Sequence, residues 1–173
     1  MNLVFKTLSK MDFKLLLKWL EEPHVKAWWD QDTHWTSDLI YKKYLSYTKG
    51  YTLENGTMKA IHAYIMYMND GPIGYIQLYN AYDFTRSVPL IGLPQSLAAF
   101  DVFIGEKQFL NRGIGAKAIA HFLDEYAHAY AYAFADPERT NISAIRAYKK
   151  AGFKEAVPQP SAQEIWLLRA MSK

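Results

Sequence analysis

The pattern of hydrophobic and polar positions switches between two periods along the chain, and the switches mark out its elements. Leu3 to Thr7 reads as a first strand. Ser9 with Asp12 makes an acidic variant of a capping box and opens a helix. The apolar face of that helix is Phe13, Leu16, Leu17 and Leu20, and Pro23 ends it. Another helix over about 37–48 presents Leu39, Ile40, Tyr44 and Leu45 as its buried side, with Gly50 as its stop. Lys59 to Met68 alternates as a strand, Asn69-Asp70-Gly71 is a hairpin turn, and the return strand runs from Pro72 to Tyr79. On that strand Tyr75, Gln77 and Tyr79 share one side, a polar and aromatic face suited to solvent or to the floor of a substrate cleft. From Asn80 to Ala98 no period is evident, and Pro89, Gly92 and Pro94 punctuate a long loop of the kind that is functional or simply tolerated.

The second half is more regular. Val102 to Ile104 ends a strand. A helical pattern beginning at Gly113 then puts Ile114, Ala118, Ile119, Phe122 and Leu123 on one face and carries on to Ala127. A strand over Tyr130 to Ala135 closes at Asp136-Pro137. A helix over about 141–151 stops at Gly152, and a strand through Val157, a Pro-rich turn and a terminal strand from Ile165 to Arg169 follow. The order predicts an α/β protein with a mixed central sheet of about seven strands and flanking helices. At 173 residues it suits a single domain over 1–173 with no linker.

Composition narrows this picture. Half the residues are hydrophobic and 16% aromatic, including 13 Tyr and 5 Trp, which argues against disorder and supplies side chains for an aromatic-lined pocket. With no cysteine, a disulfide framework, a thiolate nucleophile and a thiolate metal site are excluded. His24 and His34 lack ligand spacing, so no metal is expected. A net charge of +3 with mixed signs makes no case for nucleic acid, although it suits a partner carrying phosphates. No apolar stretch is long enough to cross a bilayer, so no membrane partner is expected. The N-terminus lacks the basic start and long apolar core of a signal peptide, and the expected compartment is the cytoplasm. Trp28 and Trp29 cannot share one helical face. Either both fill a tight corner of the core or one faces a cavity.

Candidate chemistry gathers at Gly113 and Gly115. Glycines at a helix start let a ligand approach the backbone, where unpaired N–H groups and the positive dipole end attract an anion. The Gly-Lys-Ser/Thr ending of a Walker loop and the three spaced glycines of a dinucleotide fingerprint are both missing. Alone, the pair is as compatible with a plain turn as with a phosphate cradle.

The later segment Asn141-x-x-Ala144-x-x-x-Tyr148-x-Lys150-x-Gly152-Phe153 adds specificity. Together with the glycine loop it resembles the paired signature of the GCN5-related N-acetyltransferases. That resemblance implies the acetyltransferase (GNAT) fold and acetyl-CoA as co-substrate. It places the pyrophosphate on Arg112, Gly113, Ile114, Gly115, Ala116 and Lys117, with Phe103 and Asn141 also along the cofactor and Tyr148 at the thiol. Leu110 stands where the family often has Gln or Arg, and backbone N–H groups do most of such binding. The N-terminal half is similar to one branch, the aminoglycoside 6'-N-acetyltransferases, through Trp19-Leu20, His24-Val25, Trp28-Trp29 and the Pro72-to-Tyr79 strand. By that resemblance the paired tryptophans Trp28 and Trp29, with Gln77, Tyr79, Asp101 and Asp136, surround the aminoglycoside, and Asp83 is a further candidate by its position in the loop. Two departures stand out. The loop before Asp101 has Asp83 as its only acid and contains Arg86, and Trp166 replaces a tyrosine.

Such an acetyl transfer requires the amine to lose a proton and the departing thiolate to be stabilised or protonated. Asp101, at a strand end just before the cradle, is the candidate base, or else a strand-edge turn acid. Tyr148 is the candidate donor to sulfur, or else a core-edge aromatic. The resemblance implies acetylation of an aminoglycoside 6'-amine, hence antibiotic resistance, by a monomer or homodimer. Acetylation of another amine, such as a siderophore hydroxylysine or a protein N-terminus, stays open, as does an acyl-CoA-binding module without turnover.

Overall fold

Ser9 and Asp12 begin the first helical segment as their spacing predicts. The Asp12 carboxylate accepts from the Ser9 backbone N–H at 2.8 Å and from Ser9 Oγ at 2.9 Å. The computed structural model describes residues 2–160 and 163–172. Its elements are β1 (Leu3–Thr7), α1 (Phe13–Leu20), α2 (Pro23–Lys26), α3 (Ser37–Tyr44), β2 (Tyr51–Glu54), β3 (Thr57–Ala60), β4 (His62–Met68), β5 (Gly71–Asn80), β6 (Leu97–Ile104), α4 (Ile114–Tyr126), β7 (Tyr132–Ala135), α5 (Ile142–Lys150), β8 (Lys154–Glu155) and β9 (Leu167–Ala170). Seven strands form one mixed sheet in the order β1-β4-β5-β6-β7-β9-β8, while β2 and β3 pair separately. β6 and β7 run parallel with α4 as their crossover; β1 with β4, and β9 with both β7 and β8, run antiparallel. The mixed α/β sheet of about seven strands is therefore as expected. Contacts divide the chain into two compact units, Met1–Gln77 with Val102–Leu110, and Leu78–Asp101 with Asn111–Lys173, so β5 and β6 each contribute to both. Among the described residues no helix is long and apolar enough to cross a membrane.

In the first unit α1 buries Leu16, Trp19 and Leu20. Trp19 takes the place expected for Leu17, because its indole lies against Gly105 and its Nε1 donates to Glu106 Oε1 at 2.9 Å. Helix α3 is shorter than its periodicity suggests. Thr36 caps it by accepting from the Leu39 N–H, and Ile40 and Tyr44 form the buried face. Leu39, expected inside, is 40% exposed. A separate 3-10 turn, Tyr47–Lys49, reaches the left-handed Gly50, φ 82°. The strand expected from Lys59 to Met68 is broken at Ile61, whose N–H donates to the Gly50 carbonyl at 3.1 Å. That bond lets β3 pair with β2 while β4 turns to β1. β2 went unread because its residues are only half-buried and show no clean alternation.

In the second unit α4 buries the expected face, Ile114, Ala118, Ile119, Phe122 and Leu123. The stretch between β5 and β6 is packed rather than loose. Leu93 joins Ala81, Leu97, Ala99, Phe134, Ala156 and Trp166 in one core cluster, and Tyr82 Oη donates to the Pro94 carbonyl at 2.8 Å. β6 begins at Leu97, well before the apolar run that the sequence marks as a strand end.

Candidate active site

The helix start of the second unit is built as its glycines predict. Gly113, φ 71°, precedes the first helical residue, and Asn111, φ 58°, adds a second left-handed residue two positions earlier. Alternation of this kind turns successive N–H groups to one side and makes a concave seat for an anion. A Cβ added at Gly113 or Gly115 would meet nothing within 4 Å, so the backbone is open to a ligand at both positions. Ile114 and Ala116 point inward, while Arg112 and Lys117 are exposed and add positive charge to the unpaired first turn of α4. The residues present fit a phosphate-bearing cofactor.

Helix α5 brings the second half of the signature. Asn141 is its N-cap, with Oδ1 accepting from the Ala144 N–H at 3.1 Å, so the side chain assigned to the cofactor arm also fixes the helix start. Tyr148 lies on the same helix, its ring edge-on to Phe100 at 5.6 Å and tilted on Phe153 at 5.8 Å. Burial, and then the Asp101 and Asp136 carboxylates, hold its phenol well above the ordinary tyrosine range. It is therefore a neutral hydrogen-bond donor across the physiological range.

Beside it stands an acidic group. Tyr79 is hydrogen-bonded to Asp101. Desolvation and that carboxylate raise the Tyr79 phenol strongly, with Arg86 opposing and Asp136 adding to the effect. Asp136 is ion-paired with Arg86, whose Nε also donates to the Ala81 carbonyl at 3.4 Å and whose guanidinium sits 5.1 Å above the Phe134 ring. Glu164 joins them. Its carboxyl is raised by burial and by Asp136, and it accepts from Ser87 Oγ at 3.4 Å. Asp83 instead acts on Tyr130, whose phenol is raised first by burial and then by the Asp83 charge. The structure thus brings Tyr79, Asp101, Asp136 and Tyr148 into one electrostatic neighbourhood. Sequence reading missed the Arg86–Asp136 pair and Glu164. Arg86 was visible only as an unexpected cation in an acidic position, and a partner 50 residues away leaves no periodic signal. Trp166 is 3% exposed and set against Phe134, a core residue with no hydroxyl to offer.

The remaining expected residues belong to the first unit. The Phe103 ring stacks on Tyr75 at 5.5 Å and takes Trp29 edge-on at 5.0 Å, leaving Phe103 8% exposed. The ring is thus enclosed by other aromatic side chains. Tyr75 Oη donates to Gln77 Oε1 at 2.7 Å, and both side chains are buried, so this end of the strand face does not look onto solvent. Trp28 is 47% exposed while Trp29 is packed, which separates the two adjacent tryptophans. His24 Nε2 lies 2.9 Å from the Ile104 carbonyl and His34 Nδ1 lies 3.5 Å from Glu21. Among the described residues no group of three or more His, Cys, Asp or Glu could hold a metal ion.

With this geometry in hand, comparison with known proteins is informative. Residues 9–158 match the family model described as acetyltransferase (GNAT) domain. An aminoglycoside N(6')-acetyltransferase type 1 of Klebsiella pneumoniae is 22% identical over 173 residues, with 97% of this chain and 83% of that protein covered. Among solved structures, AAC(6')-Ib in complex with ribostamycin and coenzyme A superposes with a TM-score of 0.80 at 23% identity, covering 98% of this chain and 94% of that one. A spermidine N-acetyltransferase from Vibrio cholerae, in complex with CoA and spermine, gives 0.73 at 14% identity over 99% and 96% of the two chains. The structural likenesses show the fold.

Proposed function

The chain belongs to the acetyltransferase (GNAT) family, and from that premise we propose that its acceptor is a primary amine of an aminoglycoside, acetylated at the 6' position. It is an acyltransferase that uses acetyl-CoA to acetylate an amine. The finer reading is supported by the aminoglycoside-acetylating relative along most of the chain, and the observation that carries it is the Tyr79–Asp101 pair beside Tyr148. We read the chain as one acetyltransferase domain acting in the cytoplasm on a small-molecule amine. Resistance to the antibiotic follows if the reading holds.

Acetyl-CoA supplies the activated acyl group. Its pyrophosphate fits the open backbone from Arg112 to Lys117, where Gly113 and Gly115 leave room and the helix start supplies N–H donors. Asp101 is partly exposed and accepts the Tyr79 phenol, which orients the carboxylate. In this role it draws the ammonium in and takes its proton. Tyr148 would offer the leaving sulfur a neutral donor. An ordinary phenol titrates near 10 and an ordinary thiol near 8.5, so a phenol raised further stabilises a thiolate by hydrogen bonding more readily than by giving up its proton.

One observation favours the second reading, an amine of lower charge. Asp136, which the aminoglycoside reading places against the acceptor, is already neutralised by Arg86. A thiol-release screen of aminoglycosides against small amines separates the two, and turnover confined to non-aminoglycoside amines overturns the first. With an active aminoglycoside, Asp101→Asn should lower kcat/KM by roughly 100-fold or more near neutral pH, and the deficit should shrink as pH rises and the amine deprotonates by itself. A variant matching wild type at every pH removes Asp101 from the chemistry.

A further inference from the structure

Arg86 is a feature of this site to which the aminoglycoside reading gives no role. It lies in the stretch between β5 and β6, yet its side chain is only 14% exposed. Three contacts pin it: the Asp136 carboxylate, the Ala81 carbonyl at 3.4 Å and the face of Phe134 at 5.1 Å. A guanidinium held on one side by a carboxylate and on another by an aromatic face is not a mobile surface cation. Asp136 pairs with it, Glu164 and the Tyr79 phenol feel its charge, and Asp101 acts on the same Tyr79 phenol. A second cation entering this group would meet the same carboxylate that Arg86 already uses.

We propose that Arg86 is a resident competitor for the ammonium seat of Asp136, and that it selects acceptors carrying fewer positive charges. This rests on reading Asp136 as a residue that faces the acceptor. An acceptor amine must displace the guanidinium, share a carboxylate whose charge Arg86 already neutralises, or leave Asp136 unused. Displacing the guanidinium costs a charge-assisted hydrogen bond and leaves a partly buried cation without its anion, which is unfavourable. An acceptor whose remaining groups on that side are hydroxyls meets no such conflict, since a hydroxyl can accept from the guanidinium. Arg86 is thus a specificity-determining residue, and its removal should widen the acceptor range toward polycations.

The test is a charge cycle on the intact protein with CoA present. Arg86→Gln, Asp136→Asn and the double variant are compared with wild type, after circular dichroism has shown each to be folded. The probes are kanamycin A and kanamycin B, which differ only in a hydroxyl replaced by an amine, with a linear monoamine as the low-charge control. Arg86→Gln should bind kanamycin B about 3- to 10-fold more tightly by calorimetry, a gain discounted because Asp136 is partly exposed. Asp136→Asn should weaken binding, and the double variant should return toward wild type, because the pair sums to zero charge in both. The Arg86→Gln gain should shrink at high salt and be smaller for the monoamine. A merely structural pair predicts the opposite pattern, with both single variants weakened alike. That result, or no gain for Arg86→Gln with any probe, overturns the proposal. Because the readout is binding, the outcome is separate from the assignment of substrate. If the aminoglycosides bind more tightly to Arg86→Gln yet none is acetylated by any of these proteins, the Arg86 inference stands and the aminoglycoside reading falls.

Discussion

Gly113 and Gly115 face open space, where an added Cβ would meet nothing within 4 Å, whereas one added at Gly74 or Gly105 would stand 2.3 Å from the Phe103 carbonyl oxygen or from the Trp19 indole. The same residue type serves opposite ends in the two regions. In the second unit the missing side chain keeps the backbone accessible to a ligand. In the first it lets a strand and an indole close onto the backbone, and the space is filled by the protein itself. Substitutions in the open region should change ligand binding with little effect on stability, and substitutions in the closed region should do the reverse.

The largest effect should come from the closed pair. Gly74→Ala puts its methyl against a backbone carbonyl that cannot rotate away, with Met66 at 2.7 Å on the other side. Overpacking of this kind costs roughly 1–3 kcal/mol and more where backbone must shift, so the variant should lose about 10 °C or more in Tm or fail to fold. Gly105→Ala should behave the same way through Trp19, which is fully buried. Thermal melts check both, and a Gly74→Ala protein as stable as wild type would erase the contrast. Next comes the open pair. Gly115→Asp places a carboxylate where an anion is to bind, and CoA affinity should fall roughly 100-fold or more while the melt stays near wild type. Calorimetry with CoA measures it, and unchanged affinity in the folded variant would remove the cradle assignment.

The sequence distinguished these regions only in part. Gly113 and Gly115 were readable because they open a helix whose apolar face, Ile114 to Leu123, repeats cleanly. Gly74 and Gly105 sit where no local pattern signals close approach, since what crowds them comes from Trp19, Met66 and Phe103 elsewhere in the chain. The same reason explains the other differences. The Ser9–Asp12 box, the strand and helix order and the seven-stranded sheet follow from local rules. The break at Ile61, the exposure of Leu39 and the Arg86–Asp136 pair arise from partners distant in sequence. At the site, residue types were legible and pairings were not. Asp136 is placed against the acceptor by resemblance, and in the fold its carboxylate is ion-paired with Arg86.

A smaller and purely chemical effect sharpens the contrast within the second unit. Tyr148→Phe keeps the ring that packs on Phe100 and Phe153 and removes only the hydroxyl. The single-turnover rate should drop about 10- to 1,000-fold, with CoA affinity and Tm close to wild type. Its raised phenol also fixes a sign. In wild type, activity should not decline through loss of the Tyr148 proton as pH rises across the ordinary tyrosine range. A wild-type rate constant for the variant would leave Tyr148 a packing residue.

The smallest expected effect lies beside the closed glycines and should touch stability alone. Glu106 follows Gly105 and anchors the crowded indole: Oε1 accepts from Trp19 Nε1 at 2.9 Å and from Lys18 Nζ at 2.6 Å. Those bonds, that of Lys18 first and that of Trp19 second, hold its carboxyl below the usual glutamate range despite some desolvation. Since the folded value lies below the unfolded one, the stabilisation is fully present above the ordinary glutamate pKa and is lost as pH falls through the depressed one. Glu106→Gln retains an acceptor for the indole but removes the charge facing an exposed lysine. At neutral pH it should therefore cost only about 1 kcal/mol, at the level of one partly screened charged hydrogen bond. The check is a pair of melts. The Tm difference between Glu106→Gln and wild type should be measurable near pH 7 and should close in acid, once the pH lies below the depressed Glu106 value and the wild-type carboxyl is protonated as well. A difference that persists unchanged in acid would mean that the glutamine disturbs the packing of Trp19 on Gly105, with the charge contributing nothing.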